Sequence, residues 1–267
     1  MTSRQIADFV GKRLWMRRLL YIFIRITTLR EWYLHRAVNQ VFRRYPQPVH
    51  VLDAGSGMGQ HSFHIARKTR GHVVGIEADS SQVDDCRDAA EKLKLSVHFR
   101  TGDIRSLDIE RKFHLILCSS VLEHLNDDSS ALNEFSRLLL PGGTLIVYVP
   151  VSEQRVLSFL DRKIQGQLRQ VKSKYPHGHV RYYNAPELRG KLENAGFRVH
   201  ETEKTYGPYG RLAYDIVTSV QYNSLFLWVF PIYFLLVHPF VMLLMWADLK
   251  HDKVSGNGLL MMAVKHA

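Results

Sequence analysis

A glycine-rich turn near residue 55 constrains the fold of this chain more than any other feature. Residues 49–52 predict a short buried strand, which Asp53 closes. Three glycines then stand at alternating positions, Gly55, Gly57 and Gly59, and a helix-like segment follows at 61–68. Glycine allows the backbone to turn sharply and lets a ligand lie against bare main chain. The order strand, glycine turn, helix indicates the start of a nucleotide-binding α/β unit.

The turn alone does not identify the nucleotide. Its spacing is D-x-G-x-G-x-G, whereas the dinucleotide pattern is G-x-G-x-x-G. Asp53 can accept hydrogen bonds from a cationic group of the ligand, or it can brace the loop. Many doubly wound folds carry a glycine turn of this kind, so the identity of the nucleotide has to be inferred from the rest of the chain.

Downstream of this turn, strand-like and helix-like segments alternate. Further strands are predicted at 72–76, 96–100, 113–118 and 144–149. One helix is predicted from Ser80 to Leu93, and another from Asp127 or Asp128 to a point before Pro141. Alternation at this spacing predicts a mostly parallel sheet with helices on both faces.

Polar residues follow the predicted strands at their carboxyl ends: Asp53, Glu77, Asp103 and Ser119. Ligands bind beyond this edge of a parallel sheet, so these side chains are expected near one cleft. A carboxylate at Glu77 can accept from both hydroxyls of a ribose, and Asp103 can accept from an adenine amino group. Each acid taken alone is more often a helix cap or a solvated turn residue.

Five motifs occur in a familiar order: V-L-D-A-G-S-G-M-G, G-I-E-A-D, G-D-I, S-S-V-L-E-H-L and L-P-G-G-T-L-I-V. They resemble the motifs of class I S-adenosylmethionine (SAM) dependent methyltransferases, and are most similar to the small-molecule branch that includes quinone-biosynthesis enzymes. The resemblance covers about 49–150 and resumes near 178–203 and 257–264. It implies a Rossmann-like α/β fold with a seven-stranded, mostly parallel sheet, whose last strand is antiparallel and lies beside the fifth.

The resemblance also implies SAM as the cofactor. The residues that it assigns to cofactor binding lie at the ends of the first four strands: Asp53, Gly55, Gly57, Gly59, Glu77, Ala78, Asp103, Ile104 and Ser119. Asp53 and the glycines would form the loop on the methionine side, and Glu77 would hold the ribose. Asp103 and Ile104 would hold the adenine, and Ser119 would lie near the sulfonium.

Catalysis of methyl transfer requires mainly alignment of the acceptor and exclusion of water. An oxygen acceptor also benefits from a general base, and Glu123 and His124 follow the fourth strand where such a base is expected. The alternative is that His124 only braces this turn. His179 and Tyr182 belong to a second polar-aromatic cluster, which predicts substrate positioning or loop structure. No metal site is predicted, because this cluster has no matching carboxylates.

Positive charge is concentrated at the N-terminus. The net charge of the 267 residues is +11, and residues 1–44 contain ten Lys/Arg and two acids. Residues 4–45 predict two helices, in which arginines alternate with apolar side chains between 15 and 25. This pattern is typical of a helix in a membrane interface, or of a lid on the catalytic domain, and the two can coexist. A basic arm is also compatible with nucleic acid.

The segment 225–246 is almost entirely apolar. It is long enough to span a bilayer, which takes about 20 residues. It lies between the sixth and seventh strands, however, and both must return to one sheet. It therefore predicts two short helices, broken near Pro231 or Pro239, that enter one leaflet and return. The alternatives are a buried cap or a dimer surface.

Together these features predict three parts: basic helices at 1–45, a SAM-binding domain at 46–205 and 256–267, and an apolar helical insertion at 206–255. The expected function is methyl transfer to a lipophilic small molecule, a quinol, phenol or lipid, by a cytoplasmic enzyme on the membrane surface. An RNA or protein methyltransferase and a non-catalytic SAM-binding protein are the alternatives. The absence of an N/D-P-P-Y/F run after Cys118 disfavours nucleic acid.

Overall fold

A computed structural model describes residues 13–151, 156, 180–221 and 230–266. Its centre is one seven-stranded sheet in the order β3-β2-β1-β4-β5-β7-β6. The strands are β1 Val51–Ala54, β2 Val73–Glu77, β3 Val97–Thr101, β4 Phe113–Ser119, β5 Leu139–Pro150, β6 Phe197–Thr205 and β7 Gly258–Lys265. Strand β7 is antiparallel to both β5 and β6, and the other pairs are parallel. The expected Rossmann-like topology is confirmed.

Eight helices accompany the sheet in the described part of the chain. They are α1 Leu14–Thr27, α2 Leu29–Arg44, α3 Gln60–Ala66, α4 Ser80–Leu93, α5 Asp128–Leu138, α6 Ala185–Asn194, α7 Pro208–Gln221 and α8 Phe230–Lys250. A 3₁₀ turn, Leu122–His124, follows β4. Helices α2, α3 and α4 pack on one face of the sheet, and α5 and α6 pack on the other. This two-sided arrangement explains why β1 is buried along its whole length.

Helix starts depend on local side-chain caps. The carboxylate of Asp79 accepts from the Ser81 amide and caps α4, which begins at Ser80 as predicted. Asp127 caps α5 by accepting from the Ser130 amide. Each cap satisfies one of the amides that a helix start leaves without an internal partner. Helix α4 therefore begins just beyond the polar end of β2, and α5 begins beyond the 3₁₀ turn that follows β4.

The apolar insertion between β6 and β7 is built on an antiparallel pair, α7 and α8, which packs through a separate apolar cluster with α2. A break is predicted near Pro231 or Pro239, and at Pro239 the prediction is wrong: α8 is continuous there and passes through a π-helical turn at Tyr233–Val237. A break just before Pro231 would fall on residues outside the described part. Pro239 follows the π turn at the first turn of the α-helical segment that continues to Lys250, a position where proline is tolerated. Residues 222–229, which connect α7 to α8, lie outside the described part.

Helix α8 is long and apolar enough to cross a membrane, and only 22% of its most apolar window is buried. The side chains of Tyr233, Val241 and Met245 pack inward. Large apolar side chains cover the outer side of the helix: Ile232, Leu235, Leu236, Phe240, Leu243 and Trp246. Strands β6 and β7 are adjacent in the sheet. The chain that leaves β6 and forms α7 and α8 therefore returns to the same part of the sheet.

Candidate active site

A cavity of about 720 Å³ lies beyond the carboxyl ends of β1 to β4. Six of the nine predicted cofactor residues line it: Gly55, Gly57, Glu77, Ala78, Asp103 and Ile104. His124 lines its other side, together with Ser120 and Val121. The structure therefore brings the strand ends together around one cleft, as expected for a sheet of this topology.

The glycine turn forms one wall of this cavity, and its backbone requires glycine. Gly55 has φ +82° and Gly57 has φ +50°, a region that is costly for residues with a Cβ. A Cβ on Gly55 would lie 2.2 Å from Cγ2 of Val121, so this position has no room for a side chain. A Cβ on Gly57 would meet nothing closer than Oε1 of Gln82 at 3.9 Å. Gly57 thus presents bare backbone to open space, the type of surface against which a ligand can lie.

Glu77 ties the end of β2 to the glycine turn. Its Oε2 accepts from the Gly57 amide at 2.9 Å, and its Oε1 accepts from the amides of Ala78 at 2.8 Å and Asp79 at 3.1 Å. A carboxylate offers about four acceptor sites, so three backbone donors leave capacity for a hydroxyl from the cavity. Glu77 can therefore hold the loop and accept from a ribose hydroxyl at the same time. Both of its oxygens already accept backbone hydrogen bonds, so neither is available to the ribose alone.

Asp103 is paired with a neighbour that the sequence did not single out. Both carboxylate oxygens contact the guanidinium of Arg105, at 3.0 Å from Nε and 2.5 Å from Nη2, and the Arg105 amide donates to Oδ1 at 2.9 Å. These bonds hold the pKa of Asp103 below its usual value. Arg105 also lines the cavity. An adenine amino group would therefore share Asp103 with Arg105.

Three predicted cofactor residues do not line the cavity: Asp53, Gly59 and Ser119. Asp53 is buried behind the turn, where its Oδ2 accepts from the Ser62 hydroxyl at 2.6 Å, so it braces the loop. Burial raises the pKa of Asp53. Gly59 has φ +79° and faces Phe63 and Phe99 in the interior. The hydroxyl of Ser119 is buried without a partner in the described residues, and its neighbour Ser120 lines the cavity instead.

Glu123, predicted as a catalytic base, is an interior residue. Its exposure is 0%, and neither carboxylate oxygen has a hydrogen-bond partner in the described residues. Burial raises the pKa of Glu123 to about 7, and the charge of Arg30 offsets only part of this effect. Since Glu123 does not line the cavity, it cannot contact an acceptor there. Among the residues after β4 that line the cavity, His124 carries the side chain suited to act as a base.

The second predicted cluster is only partly described. His179 lies outside the described residues. Tyr182 is half-exposed and does not line the cavity, so the structure does not place it with the cofactor residues. Its neighbours are structural: the Tyr183 hydroxyl donates to Oδ2 of Asp128 at 2.6 Å, and Arg181 contacts the same oxygen at 2.8 Å.

The N-terminal helices pack over the glycine turn, in the position expected of the predicted lid. The Tyr21 hydroxyl donates to the carbonyl of Met58 in the turn at 2.5 Å, and Nη1 of Arg17 donates to the carbonyl of Asp85 at 3.0 Å. Nη1 of Arg30 donates to the Ser120 hydroxyl at 3.1 Å, at the cavity wall. No local pattern marks Arg30, because it contacts a residue 90 positions away.

Beside these helices, Glu31, His35 and His61 bring ligand-type atoms within 4.8 Å of one another. The carboxylate of Glu31 accepts from Nε2 of Gln60 at 3.0 Å and lies 3.5 Å from Nε of Arg30. A guanidinium at this distance neutralises the carboxylate and repels a second cation. The arrangement is thus a hydrogen-bonded network whose charge is already balanced.

Comparison with known proteins agrees with this geometry. A family model described as "Methyltransferase domain" matches residues 47–207. The ubiquinone biosynthesis O-methyltransferase of Coxiella burnetii is 26% identical over 189 residues, which are 66% of this chain and 75% of that protein. The ajmaline N-methyltransferase of Rauvolfia serpentina is 26% identical over 182 residues, covering 66% and 62%.

The fold is shared with solved methyltransferase structures. Phosphoethanolamine N-methyltransferase 2 of Haemonchus contortus, solved in complex with SAM, has a TM-score of 0.61 at 16% identity, covering 88% of this chain and 53% of that one. The sheet topology and the cavity at the glycine turn define a class I SAM-dependent methyltransferase. The chain belongs to the methyltransferase domain family.

Proposed function

We propose that this protein transfers a methyl group from SAM to a lipophilic small molecule, such as a quinol, phenol or lipid, at the cytoplasmic surface of a membrane. In this proposal the domain at 46–205 and 256–267 carries the chemistry. The parts at 1–45 and 206–255 hold it at the lipid surface. Two of the similar proteins, named for ubiquinone biosynthesis and for the alkaloid ajmaline, support a small-molecule acceptor.

The exposed apolar side of α8 carries the membrane part of this proposal. Leu235 is 74% exposed, Leu236 69% and Leu243 63%. Soluble monomers rarely leave a continuous apolar surface of this kind in water, because each such side chain gains about 1.5–3 kcal/mol on burial. Trp246 lies near the end of the helix, and tryptophan favours the membrane–water interface.

The return of the chain to the sheet favours insertion into one leaflet over a full crossing. Helix α8 ends at Lys250, eight residues before β7 begins at Gly258, and β7 pairs with β6. A segment that crossed the bilayer once would leave β7 on the side opposite β6. Helix α1 adjoins this surface, since the rings of Phe23 and Phe230 lie 5.7 Å apart.

The residues of the cavity have separable roles in this reaction. SAM supplies a methyl group that its sulfonium already activates for transfer. The glycine turn and Glu77 would hold the methionine and ribose parts, and Asp103 with Ile104 the adenine. His124 faces the same cavity and can accept the proton of an acceptor hydroxyl. Fixing the two reactants in line contributes about 7–11 kcal/mol to lowering the barrier.

Arginines of the N-terminal part argue against a nucleic-acid substrate. Arg17, Arg30 and Arg36 are used within the protein, on the carbonyl of Asp85, the hydroxyl of Ser120 and the carboxylate of Glu203 respectively. A surface that grips phosphates along a nucleic acid needs such side chains free. The N-terminal part therefore offers an RNA fewer free positive side chains than its count of arginines suggests.

Flotation with lipid vesicles, combined with a methylation assay, tests this function. The protein is expected to float with vesicles and to methylate an acceptor from a total lipid extract only in their presence or in detergent. A protein that binds SAM but stays in the soluble fraction would contradict the membrane part. A protein that fails to bind SAM in calorimetry would contradict the whole proposal.

A further inference from the structure

A second cavity, of about 290 Å³, lies away from the active site between α1, α2 and α3. Three arginines line it: Arg18 and Arg25 from α1, and Arg67 just after α3. Two histidines, His35 and His64, form a further part of its wall, with their rings stacked at 3.8 Å between centroids. The volume is far larger than a single water requires, so the cavity can hold a small ligand.

The charge of this cavity is not balanced by the protein. Arg18, Arg25 and Arg67 have no carboxylate within ion-pair distance among the described residues. The one acid in the wall, Glu31, is 3% exposed and contacts Gln60 and Arg30. Burial lowers the pKa of Arg67, and the like charge of Arg18 lowers it further. Concave surfaces with uncompensated cations attract and hold anions.

The donors favour a phosphate in particular. A guanidinium presents parallel N–H groups that match two oxygens of a phosphate. Burial lowers the pKa of His35 to about 4 and that of His64 to about 3, so both rings are neutral at pH 7 and can donate or accept without adding charge. Nε2 of His64 is itself buried, so the charged donors that a ligand in the cavity can reach are the three arginines.

An apolar stripe beside the cavity identifies the source of the phosphate. Trp15, Leu19 and Ile22 stand at helical spacing on α1, and each is about half-exposed or more. Ile22 also lines the cavity, so the stripe reaches its mouth. A free phosphate would leave this stripe in water, whereas a phospholipid would cover it with acyl chains while its headgroup enters the cavity. The neighbouring Phe23 of α1 contacts Phe230 at the start of α8, so the two helices that carry these apolar side chains are adjacent.

We propose that Arg18, Arg25 and Arg67 form a binding pocket for the phosphate of an anionic phospholipid headgroup. This pocket rests on the membrane part of the proposed function and adds lipid selection to it. It orients α1 at the membrane, and because Tyr21 of α1 holds the glycine turn through Met58, lipid binding stabilises the closed position of this helix over the cofactor loop.

Short-chain lipids test the pocket without a membrane. Calorimetry would use dihexanoylphosphatidylglycerol below its micelle concentration, with dihexanoylphosphatidylcholine and inorganic phosphate as comparisons. Dihexanoylphosphatidylglycerol is expected to bind at least about tenfold more tightly than the phosphatidylcholine or the inorganic phosphate. Arg18→Gln combined with Arg25→Gln should weaken it about tenfold or more, since both contacts are charge-assisted. Arg43→Gln combined with Arg44→Gln, at the exposed end of α2, removes the same charge and should have little effect.

Each result decides between the pocket and its competitors. Equal weakening by both double variants would mean diffuse surface charge and would overturn the proposal. Inorganic phosphate binding as tightly as the lipid would overturn the lipid source. Calorimetry with SAM and thermal unfolding, expected to be unchanged in both variants, show that the proteins are folded. Binding of the short-chain lipid without vesicle flotation would support the pocket and contradict the membrane function.

Discussion

The carboxylate of Glu77 accepts a hydrogen bond of 2.9 Å from the amide of Gly57. This bond joins the end of β2 to the glycine turn after β1, so that two motifs separated by 20 positions form one wall of the cavity. The backbone amides of the turn are thereby held in place before any ligand arrives. Preorganisation of this kind reduces the entropy that binding must offset.

The first prediction concerns this wall. Gly57→Ala should weaken SAM binding by more than about tenfold in calorimetry, because a methyl group would enter the space where the ligand lies. Gly142→Ala is the matched control, since Gly142 also has positive φ and open space around its Cβ position but lies away from the cavity. Both should lose about 1–2 kcal/mol of stability from backbone strain. A similar SAM affinity in the two variants would exclude a cofactor role for this turn.

The second prediction concerns the buried acid Glu123. The folded state raises its pKa from 4.5 to about 7, so folded protein keeps the proton to higher pH than the unfolded chain does. Its contribution to the free energy of unfolding is therefore most favourable below pH 4.5 and is lost as pH rises through about 7, a change of about 3 kcal/mol.

Glu123→Gln should remove this pH dependence. Chemical denaturation of the wild-type protein and the variant between pH 5 and pH 8 gives the difference, in which the other titrating groups cancel. The variant should be the more stable protein at pH 8, since no charge then has to be buried. If the two curves run parallel over this range, Glu123 is charged in the folded protein and the interior position assigned to it is wrong.

The third prediction separates chemistry from binding. His124→Gln should lower kcat for a hydroxyl acceptor by about 10²–10⁴-fold, the usual contribution of a general base, while leaving SAM affinity unchanged. His98→Gln on the edge strand β3 is the control, because His98 is exposed and does not line the cavity. Steady-state kinetics with calorimetry on both variants distinguishes the outcomes. An unchanged kcat in His124→Gln would show that His124 is only a structural residue of the 3₁₀ turn.

The fourth prediction concerns the exposed side of α8. Leu243→Glu should reduce partitioning into vesicles roughly tenfold or more, since it places a charge where an exposed leucine would enter the acyl region. Val254→Glu is the control: Val254 is 92% exposed and apolar, but lies in the loop after α8. Flotation assays on both proteins compare them directly. Equal losses, or none, would favour a dimer surface, which size-exclusion chromatography would reveal.

The sheet and the edge that carries the site could be predicted from the sequence. Strand periodicity and parallel topology place Glu77 and Asp103 at the carboxyl ends of neighbouring strands. The sequence left open whether Asp53 faces a ligand or braces the loop through a residue such as Ser62, since a strand-end acid can point to either side of the turn. Arg30 and Ser120 meet only through long-range packing of α2 on the sheet. At Pro239, α8 continues directly after a π turn, whereas proline inside a helical pattern normally predicts a break.

Incubation of the purified protein with methyl-labelled SAM, a total lipid extract, RNA and a protein mixture tests the central claim most directly. Mass spectrometry then shows which of these components gains the label. The cavity and the apolar surfaces together predict a labelled product in the lipid fraction, formed with an equal amount of S-adenosylhomocysteine and lost in Gly57→Ala. Label found instead in added RNA or protein, with none in the lipid fraction, would contradict a lipophilic acceptor.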